Sequence, residues 1–420
     1  MKNARIPNAT NGVNTSEKGP SRRSDTRLRD PLRYMKNVTV VTGTRAEPLK
    51  STMEAIESNG DLSLSLIATG MHLSPQHGLT VEDLQNQGFT VDRELHMLLE
   101  GDTSKAMAKS LGIGTASMAE ALESLETDVT VVIGDRDEGL AAALASAHMN
   151  IPVAHIHGGD VMSGSIIDDS IRHAITKFAH IHYPATEQYA ENIKKLGEEP
   201  WRIQVVGSPG LDAIHAEEYT PSSQVLDTYG LDDSEPLALV VQHPLTTEPE
   251  NAASQMKETL SALDFFEGNV VIVYSNADAG GKRMIDVIRS WESQSTASFE
   301  AVRSFESLPR EEYLGVMASA DVMLGNSSSG VVEAPSFGLP AVDIGPRQTG
   351  RQRAENTISV EHDAEAIRSA VEKCLNDDEF RERAVDCENP YYYGGAGPAI
   401  ATDLARKSID QRLLQKKTTY

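Results

Sequence analysis

From Asn37 onward, short and nearly continuous apolar runs alternate with stretches whose apolar residues recur at helical spacing. The runs "NVTVVTGTR", "LSLSLIATG", "DVTVVIGDRDE", "IPVAHIHGGD" and "IHYPAT" read as buried strands. Between them, "EPLKSTMEAIESN", "TSKAMAKSLGIGTASMAEALESLE", "GLAAALASAHMN" and "IDDSIRHAITKFAH" read as helices. A second series begins near Gly207, with strands "PLALVVQHP", "GNVVIVYSN", "DVMLGNSS" and "PAVDIG". Its helices are expected around Ser254 to Phe266, Gly281 to Ser293, Pro309 to Ala320 and Gly330 to Gly338. Strands that are apolar from end to end need cover on both faces, and alternating helices supply it. Each series therefore predicts a parallel, doubly wound sheet.

The chain's 420 residues exceed what one hydrophobic core usually serves. The reading is two Rossmann-like α/β domains with a cleft between them, residues 36–206 and 207–395, hinged near "VVGSPGLD". The stretch from Ala399 to Gln415 is helical in pattern, and residues 396–420 are expected to pack back on the first domain. Residues 1–35 are polar and without periodicity, and are expected to form a disordered extension.

Composition narrows the function. No run reaches the roughly 18 apolar residues that a membrane span needs. The start of the chain lacks the apolar core of a signal peptide, and only Cys374 and Cys387 are present, which suits a reducing cytoplasm. Acidic residues outnumber basic ones, 62 to 38, for a formal charge of −24. That balance argues against a nucleic-acid partner, which needs a basic face. It still permits a phosphate ligand held by a few arginines and a helix N-terminus inside one cleft. The surplus also suits a protein kept soluble at high salt.

In open parallel sheets, ligands bind beyond the carboxyl ends of strands, and every polar cluster here follows a predicted strand. In "VVTGTRAEPLK", Gly43 permits close backbone approach and Arg45 can fork onto a phosphate, although the P-loop spacing is absent. In "VVIGDRDE", Asp135 reads either as a helix N-cap or as a cleft carboxylate, and Arg136 beside it serves a phosphate or neutralises acid. Asp160 follows a Gly-Gly pair. Asp168 and Arg172, four positions apart, share a helix face, as a solvated ion pair or as cleft groups, and Asp169 reads as an N-terminal helix charge. His155, His157, His173, His180 and His182 crowd the same region without HExxH or CxxC spacing. They read as structural, and no metal is expected.

In the second series, His243 ends a strand and can donate to an anion. Asn276, Asp278 and a Gly pair follow another strand, in an arrangement that suits nucleotide contact or an ordinary turn. Asn326 ends a third, and Ser327, Ser328, Ser329 and Gly330 then open a helix. Small hydroxyls and free N–H groups at such a start favour an anion, here a diphosphate. Glu333 can accept from sugar hydroxyls, and Arg347 follows the next strand.

In this order the motifs resemble the UDP-N-acetylglucosamine 2-epimerase family, over essentially Asn37 to Leu404. "GMHLSP", "GDRDE", "HIHGGD…IDDSIRHAITK", "QHPLTTE", "SNADAGGKRM" and "GNSSSGVVEAPSFGLPAVDIGPRQTGR" are similar to its hydrolysing, sialic-acid-pathway branch. The resemblance implies a glycosyltransferase-B architecture, a cytoplasmic homodimer and no cofactor. It implies that Arg45, Arg136, His243, Asn276, Ser327, Ser328, Glu333 and Arg347 hold a nucleotide sugar. Asp135, Asp160 and Asp168 would be the acid/base carboxylates, with Arg172 orienting them. UDP-N-acetylglucosamine and water would give N-acetylmannosamine and UDP through a glycal.

Some residues depart from the pattern. Asp160 stands where the family often has Glu. Glu47 and Lys50 in "GTRAEPLK" match the non-hydrolysing branch, whereas "HPLTT" does not. A non-hydrolysing epimerase, a GDP sugar or a UDP-2,4-diacetamido-6-deoxy sugar are the neighbouring readings. A glycosyltransferase or a non-catalytic nucleotide-sugar sensor lie further off.

Overall fold

The computed structural model describes residues 35–43, 46–75, 79–99, 103–161, 166–245, 247–275, 280–294 and 299–420. The expectation for the N-terminal extension thus falls, for residues 1–34, outside the described residues. So do Arg45, Asn276 and Asp278.

Strands β1 (Lys36–Thr42), β2 (Leu62–Thr69), β3 (Arg93–Leu95), β4 (Val129–Ile133), β5 (Val153–Ile156) and β6 (Ile181–Tyr183) form one sheet, in the order β3-β2-β1-β4-β5-β6. A second sheet is built from β7 (Leu237–Val241), β8 (Asn269–Val273), β9 (Ala301–Phe305), β10 (Val322–Gly325), β11 (Ala341–Ile344) and β12 (Thr357–Val360). Its order is β12-β11-β10-β7-β8-β9. The strand pairs are parallel throughout, and helices fill both faces. Central strands are buried along most or all of their length, as in "LALVV" of β7, because cover on both faces leaves no room for an alternating polar side.

β3, β9 and β12 were not evident in the apolar pattern, and each is an edge strand. No residue of β3 or β12 is buried, and only Ala301 of β9 is. Edge strands pack on fewer neighbours, so they tolerate the polar and charged residues that hide them in a sequence. The helix expected over Gly330 to Gly338 is instead a four-residue helix, Ser329–Val332, and a 3-10 turn, Ala334–Phe337. Pro335 lacks the N–H that would continue the helix.

The helix Ala396–Arg406 lies on Lys50–Glu57, and its Ile400, Ala401 and Leu404 join the core beneath β1, β2 and β4. Lys36 Nζ caps its end by donating to the carbonyls of Leu404, Ala405 and Lys407. Beyond it, Arg202 donates to the carbonyls of Leu413 and Arg412 at 2.7 and 2.9 Å. Lys416 reaches Glu198 at 2.7 Å. Glu198, 1% exposed in its side chain, also meets Lys177 at 2.7 Å and His182 at 3.2 Å. No helix among the described residues is long and apolar enough to cross a membrane.

Candidate functional site

Each sheet has one place where strand order reverses, between β1 and β4 in the first and between β7 and β10 in the second. Connections leave in opposite directions there, so a crevice opens at the carboxyl ends. Gly43 and Asp135 follow β1 and β4, and His243 and Asn326 follow β7 and β10.

Asp135 does not cap a helix. The helix Asp137–His148 starts after Arg136, and Asp135 instead forms an ion pair with Arg172. Arg172, 3% exposed in its side chain, also pairs with Asp169 at 2.6 Å and donates to the Asp160 carbonyl at 3.0 Å. The four-residue spacing places Asp168 on this face, with Asp169 as a helix-end charge. The pair closes at i,i+3 instead, the other spacing at which helical side chains meet. Asp168 sits half-buried in the same first turn. A buried guanidinium needs compensating carboxylates, and removing one partner of such a pair typically costs several kcal/mol.

Asp160 meets Arg351 from the other half of the molecule, Nη2 to Oδ2 at 2.8 Å, with both side chains 12% exposed. Burial pushes the Asp160 carboxyl up, but Arg351 and then Arg172 outweigh it and hold it below its ordinary value. The two halves also touch through Tyr189 and Tyr391, hydroxyl to hydroxyl at 3.1 Å, and through Gln188 Nε2, which donates to the Gly350 carbonyl at 3.3 Å.

The histidines divide into two kinds. In His155, Nε2 donates to the Gly134 carbonyl at 2.8 Å and Nδ1 takes the Thr176 hydroxyl at 3.2 Å. Burial drives its pKa down to about 3, so it is a neutral packing residue. His180 accepts from Val153 N and His182 meets Glu198, both away from the cleft. His157 differs. Its backbone is left-handed, φ +62°, and its buried Nε2 has no hydrogen-bond partner among the described residues, as is also true of Nδ1 in His173 and His182. A left-handed non-glycine residue costs on the order of 1 kcal/mol and marks a position the surroundings enforce. Gly159 two residues on also has positive φ, +80°, and a Cβ there would stand 2.3 Å from the Tyr189 carbonyl.

Glu138 is buried between Gly43 and Gly70, where a Cβ on either would lie within 2.5 Å of its side chain. Burial raises its pKa, and Arg136, with Nε 3.9 Å away, opposes that. Arg136 is half-exposed.

In the second half, Asn326 is the hub. Its side chain accepts from His243 N at 2.7 Å and donates to the His243 carbonyl at 2.9 Å, tying the ends of β7 and β10. Its carbonyl accepts from Arg347 at 3.1 Å and Gln348 at 2.8 Å. Ser327 and Ser328 lead into the short helix Ser329–Val332, half-buried, and Ser327 Oγ accepts from Ser329 N at 3.3 Å. Glu333 carries a forked contact from Arg310, both Nη atoms at 3.2 Å from Oε1. Among the described residues no group of three or more His, Cys, Asp and Glu is placed to hold a metal ion.

The fold thus joins Asp135, Asp160 and Asp169 through Arg172 in the first half, and His243 and Arg347 through Asn326 in the second. Asp168 lies in the first turn of the helix that carries Arg172, Ser327 and Ser328 precede the short helix Ser329–Val332, and Glu333 pairs with Arg310. The sequence pattern does not mark Asp169, Arg351 or Arg310 as partners, nor does it separate His157 from the structural histidines. Arg351 lay within a motif that was noticed, "GPRQTGR", but nothing in a linear sequence shows which half its side chain enters.

Residues 54–405 match the profile of the family described as UDP-N-acetylglucosamine 2-epimerase. A Legionella pneumophila protein described as UDP-N,N'-diacetylbacillosamine 2-epimerase (hydrolyzing) is 34% identical over 344 residues, 81% of this chain and 89% of its own. A Neisseria meningitidis serogroup B UDP-N-acetylglucosamine 2-epimerase is 31% identical over 344 residues, 81% of this chain and 88% of its own. Among solved structures, a Neisseria meningitidis UDP-GlcNAc 2-epimerase bound to UDP-GlcNAc superposes with a TM-score of 0.74 at 20% identity, covering 89% of this chain and all of that one. At that identity the likeness bears on fold alone, and the fold is the glycosyltransferase-B type.

Proposed function

The chain belongs to the UDP-N-acetylglucosamine 2-epimerase family, and from that premise we propose that it is a hydrolysing 2-epimerase of a UDP-linked 2-acetamido sugar. A carboxylate removes the C2 proton as the diphosphate leaves C1, giving a glycal. Water then adds across the double bond, releasing UDP and the free manno-configured sugar. Asp135, Asp160 and Asp168 serve as acid/base groups, with Arg172 setting their charge and orientation. Arg136, His243, Ser327, Ser328 and Arg347 bind the diphosphate, and Glu333 the ribose. Donors placed where negative charge develops on a leaving group are the largest single source of rate in such sites. Arg45 and Asn276 complete the nucleotide site in this reading.

The observation that supports the reading is the buried Arg172, which meets Asp135, Asp169 and the Asp160 carbonyl beyond the strand ends of the first sheet. A glycosyltransferase would need no such acid/base cluster. The sugar is either N-acetylglucosamine, as the motifs imply, or N,N'-diacetylbacillosamine, as the Legionella relative's description favours. A cytoplasmic homodimer feeding nonulosonate synthesis goes with either.

The test is product NMR in deuterated water with UDP-N-acetylglucosamine, its GDP counterpart and UDP-N,N'-diacetylbacillosamine. Free manno sugar deuterated at C2, with stoichiometric UDP, is the expected result. A UDP-linked manno product without nucleotide release would make the protein a non-hydrolysing epimerase.

A further inference from the structure

Inversion at C2 takes a proton off one face of the sugar and returns one to the other. Asp160 is poorly suited to give a proton back, because Arg351 and Arg172 hold it ionised. Asp135 and Asp169 are both engaged by Arg172. A group that is neutral, buried and able both to accept and to donate is missing from the carboxylate set.

We infer that His157 is a catalytic residue of this cleft, and that its Nε2 is one of the two groups that carry the C2 proton. The inference rests on the epimerase reading above. Three observations support it. Nε2 is buried without a partner among the described residues, whereas His155, two residues before it in the same motif, spends both ring nitrogens on packing contacts. The backbone is held left-handed at a residue with a full side chain, between the end of β5 and a Gly-Gly turn, which enforces one direction for the ring. The charged groups that act on the ring are Asp160, Arg351, Arg172 and Asp135, the cluster assigned to the chemistry.

Burial, with the two arginines, lowers the pKa of His157 to about 4, while Asp160 and Asp135 oppose them. The ring is neutral at pH 7. An incoming diphosphate adds negative charge beside the arginines and brings the imidazole toward the range useful for proton transfer. In the removal step the Nε2 lone pair takes the C2 proton. The C–H electrons become the C1–C2 double bond, and the C1–O pair leaves on the diphosphate. In the return step, water oxygen bonds to C1, the π electrons take a proton at C2, and the water's remaining proton passes to a carboxylate. His157 supplies one side of this exchange.

His157→Gly and His157→Asn both suit the left-handed backbone, so folding is not the obstacle. Loss of a proton-transfer group lowers kcat by about 100-fold or more. The expected result for both variants is that loss, with a thermal melt and a calorimetric UDP affinity like those of the unaltered enzyme. Added imidazole is expected to restore part of the lost rate in the glycine variant. Release of UDP with accumulation of glycal identifies His157 as the returning group, and absence of both UDP release and C2 exchange identifies it as the removing one. The inference is overturned if kcat stays within about threefold of the unaltered enzyme, if UDP affinity falls in step with kcat, or if imidazole restores none of the rate. If the unaltered enzyme neither releases UDP nor exchanges deuterium at C2 with any of the nucleotide sugars, the epimerase reading fails first and the inference fails with it.

Discussion

Arg172 pairs with Asp169, Nη1 to Oδ1 at 2.6 Å, one residue beyond the Asp168 that a four-residue spacing would select. Asp135 holds the other side of the same guanidinium. The opening of the helix Ile166–Phe178 therefore gives Asp169 to the arginine, while the proposed acid/base role rests with Asp168.

That division predicts different phenotypes for neighbouring substitutions. Asp168→Asn should lower kcat by about 100-fold or more while leaving the melting temperature unchanged. Asp169→Asn should lower stability by roughly 1–3 kcal/mol, because Arg172 stays buried with one carboxylate fewer. Steady-state kinetics and urea unfolding on both variants check the pair. An Asp168→Asn enzyme with full turnover would remove Asp168 from the acid/base set.

Arg351 and Asp160 give a prediction in pH. The arginines hold the Asp160 carboxyl below its ordinary value against the pull of burial. If Asp160 acts ionised, activity is kept above its pKa and lost as pH falls through it. Arg351→Met removes the larger opposing charge, so the acidic limb of kcat/KM should move to higher pH, by about one unit. An unmoved limb with lowered UDP affinity would instead make Arg351 a phosphate ligand.

Glu333 and Arg310 test the nucleotide half. Glu333→Gln loses the charge that the Arg310 fork meets and that a ribose hydroxyl would use. UDP affinity should fall about tenfold, the equivalent of one charged hydrogen bond, with kcat at saturation little changed. Calorimetry with UDP and kinetics at saturating substrate separate the two effects.

The buried Glu198 predicts an acid-stability signature. Burial opposes its ionisation, but His182, Lys177 and Lys416 overcome that and bring its pKa down to about 2. A lowered folded-state pKa stabilises the protein above the ordinary value of about 4.5, and that stability is lost as pH falls toward 2. Glu198→Gln should therefore destabilise the protein at pH 7 by about 3 kcal/mol and flatten the fall in stability below pH 4.5, read from urea midpoints across pH.

How much of this was legible depended on what each residue packs against. Central strands such as "LALVV" declare themselves because burial on both faces admits only apolar side chains. β3, β9 and β12 lie at sheet edges, where "REL", "AVRSF" and "TISV" meet no such demand. Asp135 and Asp160 could be picked out because they follow strands, and strand ends face the crevice in any doubly wound sheet, whereas Arg172 showed only as a helical neighbour of the aspartates before it. Asp169 could not be told from Asp168, since i,i+3 and i,i+4 partners are equally available to a helix and only the surrounding packing chooses.

The sequence by itself determined the alternation of strand and helix, the order of the polar clusters at strand ends and, through them, the family. Those are properties of nearest neighbours and of periodicity, which a linear chain displays in full. Only the tertiary structure decided that Arg351 crosses to Asp160, that Asp169 rather than Asp168 takes Arg172, and that His157 stands apart from His155 with a buried, unpartnered nitrogen. Each is a contact between segments far apart in the chain, or a choice between adjacent residues. Their energies come from burial and from charges brought together by folding, which no local pattern records.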